Sequence, residues 1–325
     1  MIKSINVKGL NGKLDLDVTF NRDINLFTGK NGSGKTSLMK LMWLMLKHLS
    51  VSDIEKEITF NYAQLKTDSG ELICEIDNKK RNTVINDDFL ASLFFPTFRR
   101  IEGGFMISRN TQNDNVIASN LEKAFSDFSN FMSENNQRIV TSISIKDLIP
   151  LINEEYARVS EQFNKKQKEL SDMIIEKIKK RAQGEKELLD SVQLNIEETE
   201  KIRTELYRPF TVLLNLIKQF FEYKGEKWSK DLSIENLRDI VLANKLSAGE
   251  QQMLSFLCYN AFSKNTIIFI DEPELSLHPD WQRRLIPTLL AQGTDNQFFI
   301  ATHSPFIYAA YADKEFTLNI DKGHN

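Results

Sequence analysis

Gly29-Lys30-Asn31-Gly32-Ser33-Gly34-Lys35-Thr36 is the stretch on which the reading of this chain turns. It has the form GxxxxGK[ST]. The apolar run Ile24-Asn25-Leu26-Phe27 leads into it, and a mostly apolar stretch from Thr36 to Leu49 reads as a helix buried against a sheet. A strand feeding a glycine turn that opens a helix is a phosphate site. The glycines let the backbone curl so that successive N–H groups point inward, and the helix N-terminus adds partial positive charge. Lys35 is placed to bridge the β- and γ-phosphates, and the Thr36 hydroxyl to ligate Mg²⁺. Asn31, Gly32, Ser33, Gly34, Lys35, Thr36 and Ser37 form the predicted cofactor-binding set, with ATP and Mg²⁺ as cofactors. A chance glycine turn would need to coincide with both the strand before it and the helix after it.

More than two hundred residues on, Ile267-Ile268-Phe269-Ile270 ends in Asp271-Glu272. A carboxylate closing so apolar a strand suffers a large desolvation penalty unless compensated, and a hydrated Mg²⁺ is the natural compensation. Asp271 is therefore a predicted metal residue beside Thr36. Glu272, one residue later, leans toward the γ-phosphate as a general base for water. His303 follows another buried strand, Phe298-Phe299-Ile300-Ala301, and is the second predicted catalytic residue. Taken singly it would read as a core histidine; after Asp271-Glu272 the functional reading wins. Leu246-Ser247-Ala248-Gly249-Glu250 opens a helix over about 248–262. The Ser247 hydroxyl, the Gly249 N–H and the helix dipole can all bind an anion, so both join the cofactor-binding set. A plain capping box between Ser247 and Glu250 reads the same residues structurally, but has no need of Gly249.

Composition narrows the classes. The 42 basic and 45 acidic residues leave a formal charge of −3, so no global field selects nucleic acid or an anionic membrane. The N-terminus lacks the regions of a signal peptide, and the strongest apolar stretch, 38–46, is too short to span a bilayer. Two cysteines exclude a disulfide scaffold and, with four unclustered histidines, argue against a zinc or HNH site. A cytoplasmic protein without membrane contact is expected.

Strand alternation marks 1–28 around a turn at 9–12, and 56–78 around Asp68-Ser69-Gly70. Residues 90–95 read as a strand buried on both faces, 110–120 as a loop, and 121–132 as helical. The middle changes character. Ile152, Tyr156, Val159, Phe163, Leu170 and Met173 fall on the seam of a seven-residue repeat. Leu189, Val192, Ile196 and Leu206 continue it more weakly until Pro209 stops it. Two helices joined near Gly184 make an antiparallel hairpin, and a 30-residue arm reaches ~45 Å. A helical subdomain folded onto the body fits the same pattern. From Asn244 the α/β pattern returns. The expected class is α/β: a P-loop ATPase head split by a helical insertion. Its parts are 1–110 (first part of the head), 111–240 (insertion, with a hairpin arm at about 148–208) and 241–325 (second part).

GKNGSGKT, LSAGEQQ, IIFIDEPELSLHP and ATHSPF together resemble the soluble ABC ATPases of the SMC, RecF and OLD type rather than transporter subunits. The resemblance covers roughly 1–110 and 240–310. It implies that Ser247 and Gly249 of one chain clasp the γ-phosphate held by Lys35 of another, so that ATP joins two heads and hydrolysis releases them. Two departures stand out. His278 occupies the place where transporters carry an aspartate. No convincing glutamine follows the 90–95 strand, where the family usually places a Mg²⁺-sensing one; Gln64 and Gln112 are outside candidates. The segment there, Phe95-Pro96-Thr97-Phe98-Arg99-Arg100-Ile101-Glu102, looks like the ATPases of bacterial phage-defence systems of the PARIS and Septu types and the AAA-15/AAA-21 families. Arg99 and Arg100 are accordingly candidates to read phosphate or dock the arm, with an Arg–Glu pair to Glu102 as the structural alternative.

The few residues after His303 leave no room for the Toprim nuclease of OLD proteins, so a separate, nuclease-like effector is expected. The function implied is an ATPase that forms a homodimer or higher homo-oligomer. It senses a phage protein or foreign DNA and holds or releases that effector. The competing function is a DNA-repair or chromosome-maintenance ATPase that clamps DNA directly.

Overall fold

The computed structural model describes residues 1–47, 49–76, 80–85, 90–97, 100–101, 137–140, 142–143, 145–179, 185–222 and 246–318. The chain forms two compact units. One holds residues 1–144, 247–253 and 263–325, the other 145–246 and 254–262.

The first unit contains two main sheets. Alternating sequence at the N-terminus gives β1 (Ile2–Leu10) and β2 (Leu14–Thr19), joined by the turn at Asn11-Gly12. With β4 (Tyr62–Thr67), β5 (Gly70–Glu75) and β6 (Lys80–Ile85) they form an antiparallel sheet in the order β2-β1-β4-β5-β6. The continuous apolar runs instead become parallel strands. These are β3 (Ile24–Thr28), β7 (Ser92–Phe95), β11 (Ile267–Asp271) and β12 (Gln297–Ala301), every residue of each buried. Strands with both faces covered need no polar alternation, and these show none. Short β9 (Gln137–Ile139) and β13 (Glu315–Thr317) complete a six-stranded parallel sheet, β13-β3-β12-β11-β7-β9. A separate parallel pair joins β8 (Arg100–Ile101) to β10 (Ser142–Ile143).

Helix α1 (Lys35–Leu46) is apolar almost all round, with nine of its twelve residues buried. Such a helix belongs inside a layered fold. It shares one core with β1, β4 and β5 of the antiparallel sheet and with β11 and β12 of the parallel one. Rings of Phe20, Phe27, Phe299, Phe269, Phe94 and Trp43 run through that core at centroid separations of 4.9 to 6.1 Å. Ser50 caps the short α2 (Val51–Glu57) by accepting from the Asp53 N–H. Buried Gln297 ties β12 to β1: its Oε1 accepts from the Ile2 N–H and its Nε2 donates to the Ile2 carbonyl, both at 2.8 Å.

The helical unit is built on α3 (Ile145–Lys179) and α4 (Glu185–Glu222). Helix α4 runs through Pro209, where the sequence predicts a stop. Phe210, Leu213, Leu214 and Ile217 beyond it are buried, and tertiary packing of that kind outweighs the cost of one proline. The seam is closed only in part. Ile152, Val159 and Leu170 are buried, Tyr207 stacks edge-on against Tyr156 and Phe163, and its hydroxyl lies 3.0 Å from Ser160 Oγ. Met173 and Ile196, predicted to lie in the same seam, are 53% and 59% exposed. The loop and helix expected over 110–132 lie outside the described residues. No helix among the described residues is long and apolar enough to cross a membrane.

Candidate nucleotide site

β3 delivers the chain to the C-terminal edge of the parallel sheet, where it turns through three glycines into α1. Gly29, Gly32 and Gly34 all have positive φ. At Gly29 (φ 134°) a Cβ would lie 2.3 Å from the Leu318 carbonyl oxygen, so no other residue fits. Lys35 is 95% buried. Its ammonium donates to the carbonyls of Gly29 (3.1 Å) and Lys30 (3.2 Å) and lies 2.8 Å from His303 Nε2. Burial pushes the Lys35 pKa down, while the carboxylates of Glu272, Asp271 and Glu274 pull the other way. The three N–H bonds of this cation are satisfied by the loop and the histidine, the same donors that an incoming phosphate oxygen would take.

The loop opens onto a cleft of about 230 Å³ lined by Asn31, Gly32, Ser33, Gly34, Lys35, Thr36, Ser37, Glu272, His303 and Asn11. All seven residues of the predicted loop set line it, together with both predicted catalytic residues. Asn11 comes from the turn between β1 and β2, which the sequence marks as a turn without any sign of where it leads. Its Nδ2 donates to Ser37 Oγ at 2.8 Å, fastening that turn to the loop.

Asp271 closes β11 and is fully buried. The Thr36 hydroxyl reaches both of its oxygens, at 3.1 and 2.9 Å, and the Thr97 hydroxyl bonds to Oδ2. A carboxylate flanked by two hydroxyls is an all-oxygen donor set, the kind that suits a hard divalent cation such as Mg²⁺. Thr97 has no place in the site predicted from sequence. It lies in the segment where the resemblance leads one to expect a glutamine, and where the two arginines are the conspicuous residues.

Glu272 adopts φ 48°, a left-handed conformation that costs a non-glycine residue about 1–3 kcal/mol, and its N–H donates to the Ala301 carbonyl at 2.8 Å. The turn carries its carboxylate to 4.0 Å from His303 Nε2. His303 is held by a residue to which the sequence assigns no role. Glu274 accepts from the His303 N–H (2.6 Å) with one oxygen and from the Thr302 hydroxyl (2.9 Å) with the other. Gln282, on α6 (Pro279–Ala291), donates to the Leu277 carbonyl at 2.7 Å and accepts from the Ser304 hydroxyl. Gln252 donates to the Pro273 carbonyl at 2.8 Å. The loops after β11 and β12 are thereby cross-braced through buried amides.

Ser247 and Gly249 do not line the cleft of their own chain. They open α5 (Ala248–Phe262), where the capping box forms: the Ser247 N–H donates to Glu250 Oε2 and the Glu250 N–H to Ser247 Oγ at 3.4 Å. Ser247 is exposed and Gly249 buried. A Cβ on Gly249 would lie 2.3 Å from the Ser276 carbonyl oxygen. Gly249 thus has a packing reason within its own chain, which the motif alone does not supply. His278 caps α6, its Nδ1 accepting from the Asp280 N–H at 3.4 Å. Gln64 belongs to β4 and bonds to Glu71 of the neighbouring β5, away from the cleft residues. The backbone of Arg100 belongs to β8; its side chain, Arg99, Glu102 and Gln112 lie outside the described residues.

Comparison with known proteins places this site in a family. The profile of the family AAA_21, described as "AAA domain, putative AbiEii toxin, Type IV TA system", matches residues 24–309. Among curated proteins, the chain is 24% identical over 187 residues to the Retron Ec83 probable ATPase of Escherichia coli, covering 49% of this chain and 34% of that protein. It is 41% identical over 63 residues to Endonuclease GajA of Bacillus cereus (strain VD045), covering 18% of this chain and 11% of that protein. The chain therefore spans about a third and about a ninth of these relatives' lengths. Among solved structures, the Smc head domain with an extended coiled coil from Pyrococcus furiosus is 15% identical, with a TM-score of 0.41 over 95% of this chain and 91% of that one. The recombination mediator RecF is 16% identical, with a TM-score of 0.35 over 94% of this chain and 92% of that one.

Proposed function

This chain belongs to the AAA_21 family of P-loop ATPases, and from that premise we propose that it is an ATP-gated switch whose hydrolytic site is completed by a second copy. The observation that carries the proposal is the division of the motifs. The loop, Glu272 and His303 line one cleft, with buried Asp271 bonded to the loop's Thr36, while Ser247, at an exposed helix start, is left out of it. A second chain presenting Ser247 and the α5 N-terminus to the γ-phosphate would use donors that have no nucleotide to meet at home.

In this reading Lys35 leaves its loop carbonyls for the β- and γ-phosphates. Thr36 and Asp271 would hold Mg²⁺, which when bound would neutralise charge on the phosphate oxygens. Glu272 takes the proton of the attacking water, and His303, positioned by Glu274, contacts the γ-phosphate. ATP joins two heads and its hydrolysis parts them. The helical unit passes that change to a separate, nuclease-like effector, in a bacterial anti-phage setting with a phage protein or DNA as trigger. The setting is supported by motif resemblance, by a family described through a toxin–antitoxin system, and by relatives named as a retron ATPase and an endonuclease. A DNA clamp has no specific observation in its favour.

The test is the Glu272→Gln protein. It is expected to bind ATP, to lose turnover by about 10²-fold or more, and to accumulate as a dimer in light scattering when ATP and Mg²⁺ are present. Lys35→Ala is expected to lose binding altogether. A Glu272→Gln protein that stays monomeric with ATP bound, or that turns over near the parent rate, would defeat the proposal.

A further inference from the structure

Thr97 stands two residues past the end of β7 and Asp271 one residue past Ile270, whose register partner is Phe95. The two strands are parallel, so both residues emerge at the same edge of the sheet, the edge from which β3 enters the phosphate loop. There the Thr97 hydroxyl bonds to Oδ2 of Asp271, the oxygen that the Thr36 hydroxyl also reaches at 2.9 Å. Two hydroxyls from different elements thus converge on one oxygen of a fully buried carboxylate.

A buried carboxylate at the end of an apolar strand needs compensation, and one hydroxyl contact is a modest supply. Phe94 packs against both Trp43 and Phe269, so β7 and β11 are already joined by apolar contacts near their C-terminal ends. Valine matches threonine in shape but not in chemistry, so a Thr97→Val change isolates the hydroxyl. What the hydroxyl adds is an oxygen. While its hydrogen is directed at Asp271, its lone pairs remain available, as do those of Thr36. A hard cation with octahedral demands takes such oxygens together with phosphate and water.

We propose that Thr97 is a further Mg²⁺ ligand of this site, its hydroxyl completing with Thr36 a two-hydroxyl clasp on the cation beside Asp271. The proposal rests on the nucleotide-site reading above.

The experiment measures metal binding rather than turnover. A fluorescent ATP analogue with a non-hydrolysable β–γ bridge is titrated onto the full chain, first in EDTA and then at rising Mg²⁺. Thr97→Val is expected to keep the metal-free affinity and to raise the Mg²⁺ concentration for half-maximal enhancement by about tenfold or more, whereas Thr97→Ser stays near the parent. Thr36→Val is the companion. If it raises the Mg²⁺ requirement and Thr97→Val stays within about twofold of the parent, the Thr97 proposal fails and the nucleotide-site reading survives. If neither variant moves the requirement, the reading of Thr36 and Asp271 as the metal site fails with it. Should Thr97→Val lose nucleotide in EDTA, Thr97→Ala is measured in its place. The same loss there assigns Thr97 to the scaffold and overturns its metal role.

Discussion

Gly249 illustrates how one residue can answer to two demands. Its absent side chain leaves room for the Ser276 carbonyl, 2.3 Å from where a Cβ would stand, and Ser276 itself sits at φ 71° in the loop after Glu272. In Gly249→Ala that backbone must move, so the nucleotide-free protein is expected to lose about 1–3 kcal/mol in a urea titration. Ser247→Ala removes only the capping hydroxyl and is expected to cost about 1 kcal/mol. An alanine at 249 that leaves stability intact while abolishing ATP turnover would return the glycine wholly to phosphate binding. Lys35, Thr36, Asp271, Glu272 and His303 were legible in the sequence because each is fixed by its offset from a motif or a strand end. Thr97, Glu274 and Asn11 were not. A threonine, a glutamate in a loop and an asparagine in a turn carry no spacing signal, and they matter only because separate elements bring them to Asp271, His303 and Ser37.

Among the elements, the buried parallel strands were the easiest to read, since a short apolar run between turn residues has few other fates. β12 begins one residue before the run Phe298–Ala301, and β11 takes in Asp271 after the run Ile267–Ile270. The helical hairpin was harder. Its seven-residue repeat gives the helices but not their partners, and Pro209 misleads because local propensity is blind to the packing of Tyr207 and Phe210 on either side of it in sequence. The helices also leave Met173, Leu194 and Ile196 more than half exposed. Several exposed apolar side chains on one pair of helices suit a contact surface. Replacing residues 160–200 by a short turn retains the Tyr156–Tyr207–Phe210 cluster at the base. That protein is expected to bind ATP with parent affinity but to lose its higher oligomers or its effector in co-purification, and with it protection of cells. Unchanged assembly and protection would leave the arm with packing alone.

For the whole molecule, the decisive question is whether one chain can hydrolyse ATP unaided. Within the chain, Ser247 has a satisfied capping role and no part in lining the cleft, so an arginine there should leave the chain's own loop, Asp271 and Glu272 untouched. Ser247→Arg is therefore expected to bind ATP and fail to turn it over, because the bulky cation blocks the phosphate of the opposite chain. Lys35→Ala fails for the converse reason, lacking a loop that holds ATP while carrying an intact Ser247. When the two proteins are mixed, one site of the hetero-dimer joins the good loop of the Ser247→Arg chain to the good Ser247 of the Lys35→Ala chain, and the other site has neither. Up to about half of the parent turnover per hetero-dimer is expected if the sites act independently, and less if they are coupled. Mass-tagged chains and native mass spectrometry give the hetero-dimer fraction against which phosphate release is normalised. If hetero-dimers form in quantity and release no phosphate above the single mutants, that result counts against assembly of the site from two independent chains, and Ser247 is left as a helix cap.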